Sequence, residues 1–388
     1  MRLRMSLLLA LVLCISAVAA QPPAPKVIDL KAPDGINLKA TYFAAPKPGP
    51  GVLLFHQCNQ QRKSWDTLAS KLASAGIHVL TLDYRGFGES GGPRVDFANP
   101  DTQRVIAEKW PGDVDVAFNY FVSQPGVKKD VIGAGGASCG VNQSIQLARR
   151  HPEVKSLVLL SGGTTREGRE FLKQKGKLPL FISAADDDGG IVEIMQWLMS
   201  LSGNPGNDFV HYKAGGHGVD MFAPHPELPG KIVSWFETTL VRTPGRAPNS
   251  ASAAELAKNK PMLALLDEPD GPARASGMIE EARRKDPKAT PFPEGIVNQL
   301  AYERLQSGDT KGAVELARLN VTAFPESPNA YDSLSDAYLA DGQRDLAKQT
   351  AQKALEILAS NTTEPPDRRE LIKQSAEQKL KQLSDQKP

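Results

Sequence analysis

The residues best suited to chemistry in this chain form a glycine-flanked serine at positions 136–140, Gly-Ala-Ser-Cys-Gly. The apolar run 131–134 before it favours a buried β-strand, and a stretch of helical spacing follows it. In a strand–turn–helix of this kind the central residue takes a strained backbone conformation, and its side-chain oxygen is exposed above the sheet. The pattern therefore predicts that Ser138 is a nucleophile for acyl transfer.

Cys139 is the other nucleophile type at this turn, but the glycine spacing fits the serine. A nucleophilic Cys139 would need glycines at positions 137 and 141, where the chain has Ala137 and Val141. A serine hydroxyl is a weak nucleophile until an adjacent general base activates it, and a carboxylate usually orients that base. The chain should therefore supply a histidine and an acid.

The histidine predicted as the general base is His217. It lies in the segment 215–218, Gly-Gly-His-Gly, after the strand-like run 208–212. Glycine on both sides leaves the imidazole room to reach Ser138. His211 falls within the strand-like run and is interpreted as a packed or edge residue.

Candidates for the acid are three consecutive aspartates at 186–188, which follow the apolar run 179–185. A solvated or metal-binding loop is the alternative interpretation, although three adjacent carboxylates lack the ligand spacing of a calcium site. No spacing in the chain calls for a metal, and no phosphate-cradling loop is present. The sequence therefore predicts no cofactor.

Short apolar runs alternate with amphipathic stretches of helical spacing between residues 52 and 182. This alternation is typical of a mainly parallel, doubly wound sheet that is covered on both faces. Before it, residues 27–43 alternate apolar and polar around Pro33-Asp34-Gly35, which predicts an antiparallel β-hairpin. The predicted fold class is α/β.

With these motifs in place, residues 27–240 resemble the α/β-hydrolases, specifically the dienelactone hydrolase-like branch. The segment from Leu82 to Ser90 is similar to the one after the family's fourth strand, and 215–218 is similar to its catalytic-histidine loop. The resemblance implies an α/β-hydrolase fold and ester hydrolysis by a Ser-Asp-His triad through an acyl-enzyme. Members closest to dienelactone hydrolase use cysteine as the nucleophile, so Ser138 is a departure that argues against dienelactone as the substrate.

The resemblance also implies the remaining site residues. The family's Gly-x-x-Asp motif, with Ala185 in the place of glycine, points to Asp188 as the acid and leaves Asp187 as the alternative. The oxyanion hole would use the backbone N–H groups of Cys139 and Gln57, with Cys58 as the alternative to Gln57.

Cys58 and Cys139 lie in the two loops that form this oxyanion hole. Our hypothesis is that they form a disulfide that fixes the geometry of the hole, and the equal alternative is two separate buried thiols.

The first twenty residues are typical of a cleaved export signal. Arg2 and Arg4 precede an apolar run, 7–18, that is short for a bilayer span, and Ala19 and Ala20 provide small residues for cleavage. A retained anchor is the alternative. The sequence therefore predicts a periplasmic or secreted protein.

Composition excludes several classes of function. The 388 residues are 40% hydrophobic and 23% charged, with a net charge of +2. These values fit a globular protein rather than a disordered chain or a polytopic membrane protein. The near-neutral charge provides no basic surface for nucleic acid.

Four segments are predicted: a signal peptide at 1–20, a catalytic α/β-hydrolase domain at 21–240, a linker at 241–255 and a helical domain at 256–388. The linker is rich in Pro, Ala, Ser and Arg, and the apolar pattern after it is helical throughout.

The helical domain contains an internal repeat of 34 residues. Four of its positions match: Leu300, Gly308, Ala313 and Ala317 recur as Leu334, Gly342, Ala347 and Ala351. A repeat of this length, with small residues at helix contacts and glycine in the turn, resembles tetratricopeptide repeats. Three roles are open for this all-α domain: binding of a protein partner, self-association, or packing on the catalytic domain.

Access to the site is predicted to be open, because only residues 164–177 separate two of the apolar runs and leave no room for a large lid there. The function predicted is an exported serine hydrolase of small-molecule carboxylic esters. The alternatives are a serine peptidase or amidase with the same triad, or a non-catalytic interaction protein on a hydrolase scaffold.

Overall fold

The computed structural model describes residues 21–385 apart from 97–99, 249, 259–260, 267, 269, 288, 290–291 and 362–363. The predicted signal peptide at 1–20 therefore lies outside the described residues. Among the helices within the described ranges, none is both long and apolar enough to cross a membrane.

A single sheet of eight strands organises the first part of the chain. The strands are β1 (Lys26–Lys31), β2 (Asn37–Phe43), β3 (Gly49–Phe55), β4 (His78–Leu82), β5 (Val127–Ala137), β6 (Val154–Leu160), β7 (Leu180–Ala185) and β8 (Asp208–Tyr212). Their spatial order is β1-β2-β4-β3-β5-β6-β7-β8. The pairs β1–β2 and β2–β4 are antiparallel and the other pairs are parallel. The predicted α/β class is confirmed, with the hairpin at one edge.

Helices cover both faces of this sheet. They are α1 (Asp66–Ser74), α2 (Pro100–Val122), α3 (Cys139–Arg150), α4 (Arg166–Gln174), α5 (Ile191–Ser200) and α6 (Leu228–Phe236). Leu53 and Phe55 of β3 belong to one buried apolar cluster, whereas Val52 and Leu54 belong to a second. Because successive side chains of a strand point to opposite faces, both faces are buried, and this explains the unbroken apolar runs.

The chain after the sheet is helical. Its helices are α7 (Ala251–Lys258), α8 (Met262–Leu265), α9 (Gly271–Lys285), α10 (Glu294–Gln306), α11 (Thr310–Ala323), α12 (Pro328–Ala340), α13 (Arg344–Ser360) and α14 (Pro366–Asp385). Helices α12 and α13 each begin 34 residues after α10 and α11, at 328 against 294 and at 344 against 310. Gly308 and Gly342 lie in the matching turns with φ of 80° and 77°, a conformation that favours glycine. The helical repeat read from the sequence therefore corresponds to two consecutive helical hairpins.

The predicted linker at 241–255 contains regular structure. A π-helical turn, Glu237–Arg242, continues from α6 into it, and α7 begins inside it. The hydroxyls of Ser250 and Ser252 both donate to Asp208 at the start of β8. These bonds hold the segment against the edge of the sheet.

The C-terminal helices pack directly on the part of the chain that contains the sheet. Helix α8 contacts α5, and Ile194 and Trp197 of α5 share one apolar cluster with Leu263 and Leu300. An ion pair between Arg169 of α4 and Glu303 of α10 lies at the same boundary. The two parts therefore share a core.

Candidate active site

Ser138 occupies the sharp turn between β5 and α3. Its backbone has φ 53° and ψ −119°, a strained conformation for a residue with a side chain, and its N–H donates to the Leu160 carbonyl at 2.9 Å. A Cβ on Gly136 would lie 2.0 Å from the Gly140 oxygen, and one on Gly140 would lie 2.2 Å from the Phe55 oxygen. Both motif glycines are therefore required by close backbone contacts around the serine.

His217 lies in a loop after β8, between glycines of positive φ. Gly216 has φ 73° and Gly218 has φ 60°, so the loop conformation depends on these residues. The His217 Nδ1 atom is 2.8 Å from Asp188 Oδ2 and 2.9 Å from Oδ1. The side chain of His217 is 34% exposed and that of Asp188 is 17% exposed, so the pair is only partly shielded from water.

Each of the three adjacent aspartates after β7 has a different partner. Asp186 Oδ1 is 2.6 Å from His211 Nε2 of β8, the strand at the sheet edge. Asp187 accepts hydrogen bonds from the backbone N–H groups of Gly215 and Gly216. Of the two candidate acids, Asp188 contacts the His217 imidazole, whereas Asp187 binds the backbone of the histidine loop.

The Asp188 partner changes the acidity of His217. Its hydrogen bond raises the pKa of His217 above the ordinary value, against partial burial, which lowers it. The charges of Asp188 and, to a smaller extent, Asp220 raise the same pKa further. Carboxylates around an imidazole stabilise its protonated form, which is the form that a general base reaches during catalysis.

A disulfide joins the two loops to which the oxyanion donors are assigned. Cys58, after β3, and Cys139, at the start of α3, are bridged across a sequence separation of 81, with their Cα atoms 5.9 Å apart. The bridge links the loop of Gln57 to the residue that follows Ser138. Both backbone segments named in the oxyanion hypothesis are thus covalently connected.

The side chain of Gln57 has a role that the sequence interpretation missed, because only its backbone was considered. The side chain is fully buried. Its Oε1 accepts from the Val219 N–H at 2.9 Å, and its Nε2 donates to Asp220 Oδ2 at 3.2 Å. Gln57 therefore connects the loop after β3 to the histidine loop. No motif marks either Gln57 or Asp220 for this contact.

Ser138, Cys139 and His217 line one cavity of about 480 Å³. Its apolar lining comes from two helices, α5 and α10. These residues are Ile191, Ile194, Trp197, Leu198, Ile296 and Leu300. The sequence interpretation missed this contribution of α10, which lies more than a hundred residues further along the chain than the short 164–177 connection.

Ser161, at the end of β6, is a further cavity residue that the sequence interpretation did not single out. Its φ is 48°, and its Oγ is buried without a hydrogen-bond partner among the described residues. Non-glycine residues in this strained region cluster at functional sites. Its position directly after an apolar strand was the one available signal.

No group of three or more His, Cys, Asp or Glu side chains within the described ranges is arranged to hold a metal ion.

Comparison with known proteins defines the class. A sequence profile described as alpha/beta hydrolase fold matches residues 50–201. This range contains β4 to β7, the serine turn and all of β3 except its first residue. The first part of the chain therefore has the α/β-hydrolase fold, as the resemblance implied, and a run of helices follows it. The dienelactone hydrolase-like branch and the tetratricopeptide repeat class stay predictions.

Individual proteins are similar to this chain at low sequence identity. Two proteins of Escherichia coli, each named an uncharacterized 31.7 kDa protein in the traX-finO intergenic region, are 28% identical over 137 residues, which is 34% of this chain. The chain spans 44% of the length of these relatives. An esterase of Pyrococcus furiosus is similar in structure with a TM-score of 0.45 and 17% identity, over 56% of this chain and 91% of that one. Est1E of Butyrivibrio proteoclasticus, solved with ferulic acid, has a TM-score of 0.46 and 17% identity, over 55% and 99% of the two chains.

Proposed function

We propose that this protein is a serine hydrolase of carboxylic esters, with Ser138 as nucleophile, His217 as general base and Asp188 as the orienting acid. The observation that carries the proposal is that His217, which is paired with Asp188, lines the same cavity as Ser138 in the strained turn between β5 and α3. Nucleophile, acid and base occur in the chain order of this fold.

The reaction would begin with attack of the Ser138 oxygen on the ester carbonyl carbon while His217 Nε2 accepts the hydroxyl proton. The carbonyl oxygen becomes an anion, which the backbone N–H groups of Cys139 and Gln57 stabilise. The alcohol leaves with the proton from His217, and an acyl-enzyme remains. Water then attacks the acyl carbon in the same way and releases the acid, which regenerates Ser138.

Asp188 supports both steps by accepting a hydrogen bond from the N–H at Nδ1 of His217. This bond selects the tautomer in which Nε2 is free to accept the serine proton. It also stabilises the imidazolium that forms in each step, consistent with the raised pKa of His217.

Export is part of the proposal. A disulfide between Cys58 and Cys139 fits an oxidising compartment, and the first twenty residues have the pattern of a cleaved signal. We assign the mature protein to the periplasm or the medium. We also propose that it belongs to the dienelactone hydrolase-like branch and that its C-terminal domain is tetratricopeptide-like. No nucleic acid partner is proposed.

Labelling with a fluorophosphonate probe tests the assignment. Wild-type protein should be labelled and should hydrolyse p-nitrophenyl butyrate, and Ser138→Ala should abolish both. A matched panel of p-nitroanilides separates an esterase from a peptidase or amidase. A folded wild type that is neither labelled nor active would contradict the proposal and favour a non-catalytic interaction protein.

A further inference from the structure

Helix α10 belongs to the C-terminal helical region, yet three of its residues line the cavity of Ser138 and His217. These residues are Ile296, Gln299 and Leu300. Ile296 is half-buried and Gln299 is exposed, so they stand at the outer side of the cavity. A substrate ester bound at Ser138 would therefore contact a helix outside the α/β-hydrolase sheet.

The position of α10 relative to the catalytic residues is set by packing at two points. Pro293, directly before the helix, lies against Gly190, where a Cβ would approach its Cγ to 2.8 Å. Gly190 is two residues after Asp188. Further along α10, Glu303 is paired with Arg169 of α4. The helix is thus held against the loop of the catalytic acid and against α4.

The rest of the apolar lining comes from α5. Ile194, Trp197 and Leu198 line the cavity together with Ile296 and Leu300 of α10. The cavity volume of about 480 Å³ falls within the range of about 300–1,000 Å³ that is typical of sites for small organic ligands. A cavity with this apolar lining suits a hydrocarbon group.

Arg169 is the one permanently charged side chain among the described residues that line this cavity, and its charge is already compensated. Its guanidinium pairs with Glu303, donates to the Thr164 carbonyl at 3.1 Å and lies 4.9 Å from the centre of the Trp197 ring. An anionic substrate group would have to compete with Glu303 for it. The cavity therefore favours a neutral group.

From this arrangement we infer that α10 is the substrate-selecting wall of the active site and that the cavity binds the neutral, apolar acyl chain of an ester. The inference rests on the proposed function and adds the substrate class to it. Longer acyl chains would be preferred, with kcat/KM rising up to about fourfold for each methylene that the cavity buries.

The test uses the full mature chain and measures kcat/KM for p-nitrophenyl acetate and octanoate. Ile296→Asn should lower the octanoate-to-acetate ratio about tenfold, because a polar side chain replaces apolar contact area. Gln299→Leu should raise the same ratio about threefold. Gln306→Leu, an exposed position on the same helix that does not line the cavity, is the matched control and should leave the ratio unchanged.

A second measurement compares neutral p-nitrophenyl butyrate with the singly charged p-nitrophenyl succinate on wild type, where the neutral ester should be favoured about tenfold or more. If wild type is active and all three variants have its octanoate-to-acetate ratio, the α10 assignment is overturned. If wild type cleaves the succinate as well as or better than the butyrate, the neutral-substrate assignment is overturned. A wild type that cleaves no ester and takes no fluorophosphonate label would instead contradict the proposed hydrolase.

Discussion

Asp186, Asp187 and Asp188 are identical in type and adjacent in sequence, but each binds a different group: a strand histidine, the backbone of a loop and the candidate catalytic imidazole. Consecutive residues in a tight turn point in different directions, so the roles of such neighbours differ completely. Substitutions at these positions should therefore separate catalysis from loop support.

Asp188→Asn is expected to reduce kcat roughly 10⁴-fold, because an amide no longer selects the His217 tautomer that leaves Nε2 free. His217 accepts a proton only when neutral, so activity is lost as pH falls through its pKa. The Asp188 hydrogen bond raises that pKa, and its loss in this variant should move the acid limb of the kcat/KM profile to lower pH.

Asp187→Asn is the matched control for this measurement. The side-chain oxygen of asparagine still accepts from the N–H groups of Gly215 and Gly216, so the loss of kcat should be less than about tenfold. Equal losses in the two variants would argue against Asp188 as the triad acid.

Gln57→Glu is expected to shift the pH profile in the opposite direction to Asp188→Asn. The new carboxylate still accepts from the Val219 N–H, but it lies beside Asp220, whose charge already raises the pKa of His217. A second negative charge raises that pKa further, so the acid limb of kcat/KM should move to higher pH. An unchanged acid limb in this variant would show that Gln57 does not influence His217.

At the scale of elements, the disulfide ties the end of β3 to the start of α3. These elements are held together through the pairing of β3 with β5 and through the Gly140 contact with Phe55, and the bridge adds a covalent link next to Ser138. Its closed loop is long, since 81 positions separate the two cysteines. Long loops of this kind restrict the unfolded chain strongly.

Reduction of the disulfide, or Cys58→Ala, should lower the free energy of unfolding by about 2–4 kcal/mol, measured by urea unfolding. A reducing agent should have no further effect on Cys58→Ala, which is the control. Two free thiols in a titration of the unfolded, unreduced mature protein would contradict the bridge.

For the whole molecule, the Arg169–Glu303 pair joins the α/β-hydrolase fold to the C-terminal helices. The side chains are 5% and 17% exposed, and removal of one partner leaves a charge buried without compensation. Glu303→Ala should therefore destabilise the full chain by about 3 kcal/mol in urea unfolding.

Glu281→Ala is the control, because its partner Lys285 forms an exposed pair within α9 and such pairs contribute less than about 1 kcal/mol. If Glu303→Ala lowered the free energy of unfolding no more than Glu281→Ala, the Arg169–Glu303 pair would not contribute to stability. The comparison thus measures how much the contact between α4 and α10 contributes to the stability of the full chain.

The sequence by itself determined the features that depend on local order. The Gly136 to Gly140 spacing, the apolar strand before it and the glycines beside His217 are neighbours along the chain, so their pattern was sufficient to place Ser138 and His217 in turns of the fold. The sheet class followed from the same kind of evidence, because strand burial on two faces leaves continuous apolar runs. The 34-residue helical repeat was likewise visible as matched positions.

Only the tertiary structure decided the contacts between distant segments. The Gln57 side chain meets Val219 across 162 positions, and Arg169 meets Glu303 across 134. Such pairs have no period and no fixed spacing, so no sequence pattern reports them. The wall formed by α10 arises for the same reason: it exists because apolar faces of α5 and the C-terminal helices bury each other, and this packing is a property of the folded molecule alone.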